Sequence, residues 1–425
     1  MKTTLLKHVL HNGQPVDILI QGNKFSKIAP LITDKADEVI EAKGKAILPA
    51  FYNCHTHISM TLLKGIADEK ELHDWLNDDI WPREAIMTPE DIYVASKFAI
   101  LEMIKGGTVF CNDMYFHPIE TMKAINEMGI RGFVSQPEMD LIPGVELEKQ
   151  KQKVLDFINY PNPNENRIIK GISCHSVYTL SDKFLQFYSD LAKKHNMFLH
   201  IHACETRKEV DDCREQHNCT PIEYLNSFGL LTNKTILAHC VHIDVDGNDL
   251  KLIKEKGCKI AHCPTSNLKL KSGMMPFQTL IDEKVHVTLG TDGSASNNSL
   301  SMLEEMKVCA LNAKIQSGRS DAGKVDDIFK VATLNGAKAF NIDAGKIEEN
   351  KIADFILVDM NHYLLLPNHN LISNMIYSAQ NDCITDVFCD GKQIMKDRKV
   401  KDEEKIIEDF RKVSERFKTC DKIVY

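Results

Sequence analysis

The 425-residue chain lacks the marks of several protein classes. It has no run of about 18 apolar residues, so no membrane span is expected. No block of Lys or Arg stands out. With 52 basic against 60 acidic side chains the net charge is −8, which makes a nucleic-acid backbone a poor partner. There is no GxGxxG and no P-loop, hence no cradle for a dinucleotide or a nucleotide phosphate. There is no GxSxG nucleophile elbow, no HExxH, and no HxE…PCxxC signature of the small zinc nucleobase deaminases. The 13 cysteines contain no CxxC pair, so a Cys-rich zinc site is not indicated. Met1–His8 carries no apolar leader, and the thiols are therefore expected to be reduced and the protein cytoplasmic.

What remains is an ordinary globular mix, 43% hydrophobic and 26% charged, whose order along the chain is informative. Eight short apolar runs alternate with helical stretches: Ala46–Tyr52, Thr108–Asn112, Gly132–Gln136, Ile168–Ser173, Phe198–Ile201, Thr235–Ala238, Lys259–His262 and Val285–Gly290. Eight such units predict an α/β fold of the (β/α)₈ TIM-barrel type, with a doubly wound open sheet as the rival. The flanks read differently. Val16–Ile20 alternates polar and apolar residues before a turn at Gly22-Asn23. Ala353–Asp359 and the Asp390-Gly391 hairpin read as further strands. Both chain ends are expected to form one small composite β-sandwich domain, residues 1–48 and 346–425, around a barrel of residues 49–345. A terminal amphipathic helix (Ile406, Ile407, Phe410, Val413) is expected on the surface.

Of the 17 histidines, nine fall at or just past the ends of these runs: His55, His57, His117, His175, His200, His202, His239, His242 and His262. Barrel enzymes build their sites at that end. His55 and His57, two apart on a strand, point to the same side and can grip one cation together. Three imidazoles, a carboxylate and a water suit a catalytic divalent metal, which brings the pKa of bound water towards about 7. Carboxylates and imidazoles nearby can shuttle protons. These parts describe a hydrolase.

The combination of His55-Thr56-His57, His202-Ala203-Cys204-Glu205, Ala238-His239-Cys240 and the run Gly290–Asn298 (GTDGSASNN) resembles the amidohydrolase superfamily. The likeness extends to Ile47–Phe51 and to Gly345-Lys346-Ile347 with Ala353-Asp354-Phe355, and so covers nearly the whole chain. Asp74-Trp75-Leu76, Ile80–Glu84 and Asp113–His117 are similar to the methylthioadenosine/S-adenosylhomocysteine deaminase branch, whose relatives include the triazine chlorohydrolases. The resemblance implies one divalent metal, zinc or in some relatives iron, on His55, His57, His202 and Asp292. It implies that Glu205 protonates the purine ring, that His239 and Asp292 orient and deprotonate the water, that Glu84 holds the ribose hydroxyls, and that His175 and Trp75 line the nucleoside pocket. The implied reaction is attack of metal-bound hydroxide at C6 of a 5′-modified adenosine (5′-methylthioadenosine, 5′-deoxyadenosine, adenosine or S-adenosylhomocysteine), giving the inosine analogue and ammonia. Relatives are commonly homo-oligomers. Two-metal relatives carry a bridging lysine at the end of strand four. Here that end is Ser173-Cys174-His175, while Lys170 sits deeper, so one metal is expected. The segment Ser135–Glu146 has no Arg and three acids, which weighs against a homocysteine carboxylate. The rival readings are a guanine deaminase or triazine hydrolase on the same scaffold and a non-catalytic scaffold homologue.

Overall fold

The structure, a computed structural model, describes residues 1–142 and 144–417. Pro143, in the acid-bearing segment, and the last part of the expected C-terminal portion lie outside the described residues. Eight parallel strands follow one another in sequence order: Phe51–Thr56, Thr108–Met114, Arg131–Glu138, Ile168–Cys174, Leu199–Ala203, Thr235–His239, Lys259–His262 and His286–Leu289. They are buried on both faces and rich in branched and aromatic residues, as strands covered by helices must be. The sheet curls into a barrel. Just past the last ladder, the Asp292 amide donates to the His55 carbonyl (2.9 Å) and the Thr291 amide to the Asn53 side chain (3.0 Å). Gly290 is required at this seam, since a Cβ there would stand 2.8 Å from the His55 amide nitrogen.

The first apolar run divides. Lys45–Pro49 belongs to a second sheet and only Phe51–Thr56 to the barrel. That second sheet is mixed and nine-stranded, built from both chain ends, with Lys45–Pro49 antiparallel to Phe355–Asp359 at its centre. The period-two pattern sorts its side chains. Ile356 and Val358 face the barrel cluster, whereas Phe355 and Leu357 join Leu6, Ile18, Phe25 and Phe388 in a core of their own. The Asp390-Gly391 turn has both φ angles positive, the requirement of a tight hairpin between twisted strands. The helix Glu403–Ser414 lies against the helix Pro89–Lys105, with Phe410 stacked on Phe98 at 3.8 Å. No described helix is long and apolar enough to cross a membrane.

Sheet and barrel are joined at the barrel's base by buried charge. Asp354 accepts from Tyr52 Oη (2.6 Å), Arg131 Nε (2.8 Å) and the Asp390 amide (2.6 Å), and Arg131 also reaches Asp390 (2.6 Å). Removing one partner would strand the other's charge out of water. Arg131→Met is expected to cost about 3–5 kcal/mol. Urea unfolding reads this directly, and an unchanged midpoint would show that the pair holds nothing together.

Candidate active site

The carboxyl ends of the strands deliver the predicted residues to one pocket. His57, His202, His239, Glu205, Asp292, His175, Trp75 and Glu84 all line it, with His55 directly beneath. His55 and His57 alternate along the first strand and its exit. His202 is the fourth residue of the fifth strand and His239 ends the sixth. Asp292 follows the eighth. It sits at φ 61°, and Cys204, His239 and Cys240 are also left-handed. That conformation costs a non-glycine residue, and here it recurs at the exits of the fifth, sixth and eighth strands, which lead into one pocket.

Each imidazole has its outer nitrogen committed. His57 Nδ1 donates to the Met114 carbonyl (2.6 Å) and His202 Nδ1 to the His175 carbonyl (2.7 Å). His200 Nδ1 donates to the Ile236 carbonyl (3.2 Å), so its Nε2 can only accept, and it faces His55 Nδ1 at 2.7 Å. The neutral tautomer is thereby set in all three site histidines, leaving each Nε2 a bare lone pair. Those lone pairs converge. His57 Nε2 lies 3.3 Å from His202 Nε2, and Asp292 Oδ1 lies 3.2 Å from His55 Nε2 and 3.3 Å from His57 Nε2. His55 Nε2 is buried with no hydrogen-bond partner among the described residues. Facing lone pairs repel unless a cation sits between them. The donor set therefore fits a divalent ion, with His239 also within reach of the His55–His202 pair.

Charge is graded across the pocket. Burial alone would raise the Asp292 carboxyl, but positive charge among the nitrogens beside it, carried by His55 and then by His57 and His239 when those rings are protonated, outweighs burial and holds it well below the usual range. Its second oxygen accepts from Ser266 (2.6 Å) and Ser296 (3.0 Å). Glu205 goes the other way, since burial raises it despite His239 at 3.7 Å. His239 donates from Nδ1 to Asn267 (2.8 Å); burial would lower it, but the carboxylates of Glu205 and Asp292 raise it. Burial lowers His55 to about 4 and His175 to about 3. On the opposite wall, burial lifts Glu84 to about 7 beside the Tyr115 hydroxyl. Trp75 Nε1 is buried and without a partner among the described residues, which leaves a donor for a ligand.

Other histidines fall elsewhere. His117 caps the helix Pro118–Met128 in a neighbouring cavity, His262 is buried outside the pocket lining, and His242 donates to the Ser272 carbonyl (2.6 Å). Lys170 is spent on the carbonyls of Ile158 and Tyr160, away from the site.

The sequence reading missed Glu209. Its carboxylate is buried and accepts the amides of Cys204 (3.0 Å) and Glu205 (2.7 Å), pinning the turn that aims Glu205. Thr206 with a Glu three residues on reads as a capping box. Here only the Thr206 half forms (3.1 Å), and the Glu reaches the amides one and two residues further back.

This chain belongs to the amidohydrolase family, whose sequence pattern matches residues 46–394. Among its relatives, a 5′-deoxyadenosine deaminase of Methanocaldococcus jannaschii is 40% identical, covering 95% of this chain and 97% of that one. A 5-methylthioadenosine/S-adenosylhomocysteine deaminase of Archaeoglobus fulgidus is 37% identical over 94% of each chain. Among solved structures, an adenosine deaminase from Xanthomonas campestris with bound zinc superposes with a TM-score of 0.89 at 28% identity, covering 97% of this chain and 98% of that one. The family, the barrel and the hydrolase class read from the sequence accord with these likenesses.

Two outcomes test the supporting residues. His200→Ala leaves the His55 tautomer unset, and metal affinity is expected to fall about 10–100-fold in a chelator competition. Equal affinity would remove His200 from the account. Glu209→Gln turns one amide donor against an NH₂ group. A loss of about tenfold in turnover is expected with metal content retained, and wild-type turnover would show that Glu205 is aimed by other means.

Proposed function

We propose that the protein is a metal-dependent aminohydrolase that removes the C6 amino group of 5′-modified adenosines, giving the inosine analogue and ammonia. The observation that carries this reading is the pairing, in one pocket, of a buried carboxyl whose acid form burial favours (Glu205) with one whose ionised form is favoured (Asp292), the division of labour that addition of water to an amidine needs. The names of the relatives support the same substrates.

His55, His57, His202 and Asp292 would hold the divalent ion. When bound, it would supply Lewis acidity and make water nucleophilic near neutral pH. Asp292 and His239 orient the attacking water and take its proton. Glu205 gives its proton to N1 as C6 becomes tetrahedral, and the proton gathered by His239 and Asp292 leaves with ammonia. Trp75 Nε1 and Glu84 hold the nucleoside, with Glu84 on the ribose hydroxyls, while His175 closes the pocket over the base. The choice of zinc over iron belongs to this proposal, supported by the zinc bound in the similar Xanthomonas campestris adenosine deaminase. Likewise proposed is a cytoplasmic setting, in keeping with described cysteines that are all unpaired.

Loss of adenine absorbance together with ammonia release, measured on zinc-loaded protein with 5′-methylthioadenosine, 5′-deoxyadenosine and adenosine, tests the reading. Turnover is expected, and silence on all three with metal bound would overturn it. Glu205→Gln is expected to lower kcat by about 10²–10⁴-fold. Because burial raises the Glu205 carboxyl, its acid form survives to higher pH than that of an ordinary carboxyl and is lost as pH rises further. An alkaline fall in kcat is expected in the wild type and should vanish from the residual activity of Glu205→Gln. A fall kept by that variant would assign the limb to another group.

A further inference from the structure

The pocket does not end at Glu84. Trp81, Glu84, Phe116 and Met139 are shared with a second cavity of about 720 Å³. If Glu84 holds the ribose, the 5′ carbon leaves towards that cavity, which is far larger than a methyl group needs. Its walls are largely apolar, including Met87, Ile92, Ile119 and Phe157.

Its charged groups come from every surrounding element: Glu84 from the loop after the first strand, His117 and Glu120 after the second, Glu138 at the end of the third, and Lys153 and Asp156 from the helix Leu147–Asn159. Four carboxylates thus face one ammonium and one imidazole, and burial lowers that imidazole, His117, below its usual value. Glu120 is neutralised by Lys123 (2.7 Å) at the surface, and Asp156 accepts from Gln152 (2.7 Å). Glu138 is different, being 5% exposed. One oxygen accepts from Gln136 Nε2 (2.7 Å), while the other meets, among the described residues, only Lys153 Nζ at 3.4 Å. That lysine is 57% exposed and gives its better bond to Gln150 (3.0 Å), so it compensates the buried charge weakly. Burial accordingly raises the Glu138 carboxyl, the mark of an anion short of partners.

Resting on the nucleoside reading above, we propose that this cavity receives the 5′ substituent and that Glu138 selects substituents ending in an alkylammonium. A cationic chain gains a buried, under-satisfied carboxylate and an acidic surround. An anionic chain meets the same carboxylates with one exposed lysine to offset them, and that repulsion is half of the selectivity. A neutral methyl leaves both the volume and the charge unused.

The test compares kcat/KM of the zinc-loaded protein for four adenosine 5′-thioethers: the methyl, aminopropyl and carboxypropyl compounds and S-adenosylhomocysteine. The aminopropyl compound is expected to exceed the methyl one by about tenfold, the scale of a charge-assisted hydrogen bond, with both carboxylate-bearing compounds below it. In Glu138→Gln the aminopropyl-to-methyl ratio is expected to fall towards one. In Lys153→Met, which removes the competing ammonium, the ratio is expected to rise. The Lys153 variant decides the matter should the Glu138 variant fail to fold. A carboxylate-bearing substrate that matches the aminopropyl compound, a ratio kept in Glu138→Gln, or one unmoved in Lys153→Met overturns the inference. Turnover of the methyl compound without cation preference sinks this inference alone, whereas no turnover of any compound sinks the deaminase reading with it.

Discussion

The seam between the first and eighth strands is the constraint on which the site depends. One backbone bond, Asp292 amide to His55 carbonyl, closes the barrel and at the same time sets a carboxylate against two imidazoles. The seam needs glycine at position 290, because the backbones approach too closely for a Cβ. It needs the left-handed turn at Asp292, because an extended residue there would carry its side chain to the other face. A one-residue slip in the first strand would take His55 and His57 out of the pocket together, and one in the eighth would displace Asp292. The geometry that completes the fold and the geometry that gathers these side chains are therefore one arrangement.

Behind the pocket stands a set of buried carboxylates that serve backbone amides. Asp113 accepts the Ile58 amide (2.8 Å) just after His57. Glu209 holds the exit of the fifth strand, and Glu305 takes the Thr265 amide (3.3 Å) and Asn297 (2.6 Å) between the seventh and eighth. Burial lifts them to about 6, 7 and 8 respectively. Each ties down a strand exit without placing a cation near the lone pairs of His55, His57 and His202. A lysine in the same place would set an ammonium beside those imidazoles and oppose a cation among them.

Much of this was legible in the residues. The eight runs and the histidines at their ends depend on local periodicity, which a sequence displays directly. The pairing of the chain ends was legible from alternation and the Asp390-Gly391 turn, but the curl of those strands into one continuous nine-stranded sheet was not, because register between distant segments leaves no local trace. The boundary between Pro49 and Phe51 was hidden for a related reason: both strands are apolar and nothing but a short kink separates them. Glu209, His200, Ser266 and Ser296 act through contacts with other side chains or with backbone brought near by folding. His200 stood out as a strand-end histidine and Ser296 lay within the Gly290–Asn298 run, but neither contact could be read, and the capping pattern of Glu209 points to the wrong amide. Glu138 was visible as one of three acids, but its burial, and so its meaning, needed the third strand's register.

The central position of Lys45–Pro49 has a further consequence during synthesis. Its partner, Phe355–Asp359, emerges roughly 300 residues later, which at about 5–20 residues per second is a delay of about 15–60 s. Throughout that interval the N-terminal strands present an open edge with apolar side chains, the kind of template that recruits neighbouring chains on a polysome. The barrel can be complete before this edge is covered, so the nascent protein would hold a formed catalytic pocket while its other sheet still waits for its middle strand. A chaperone acting on this chain would be needed at the beginning of the polypeptide, late in its translation.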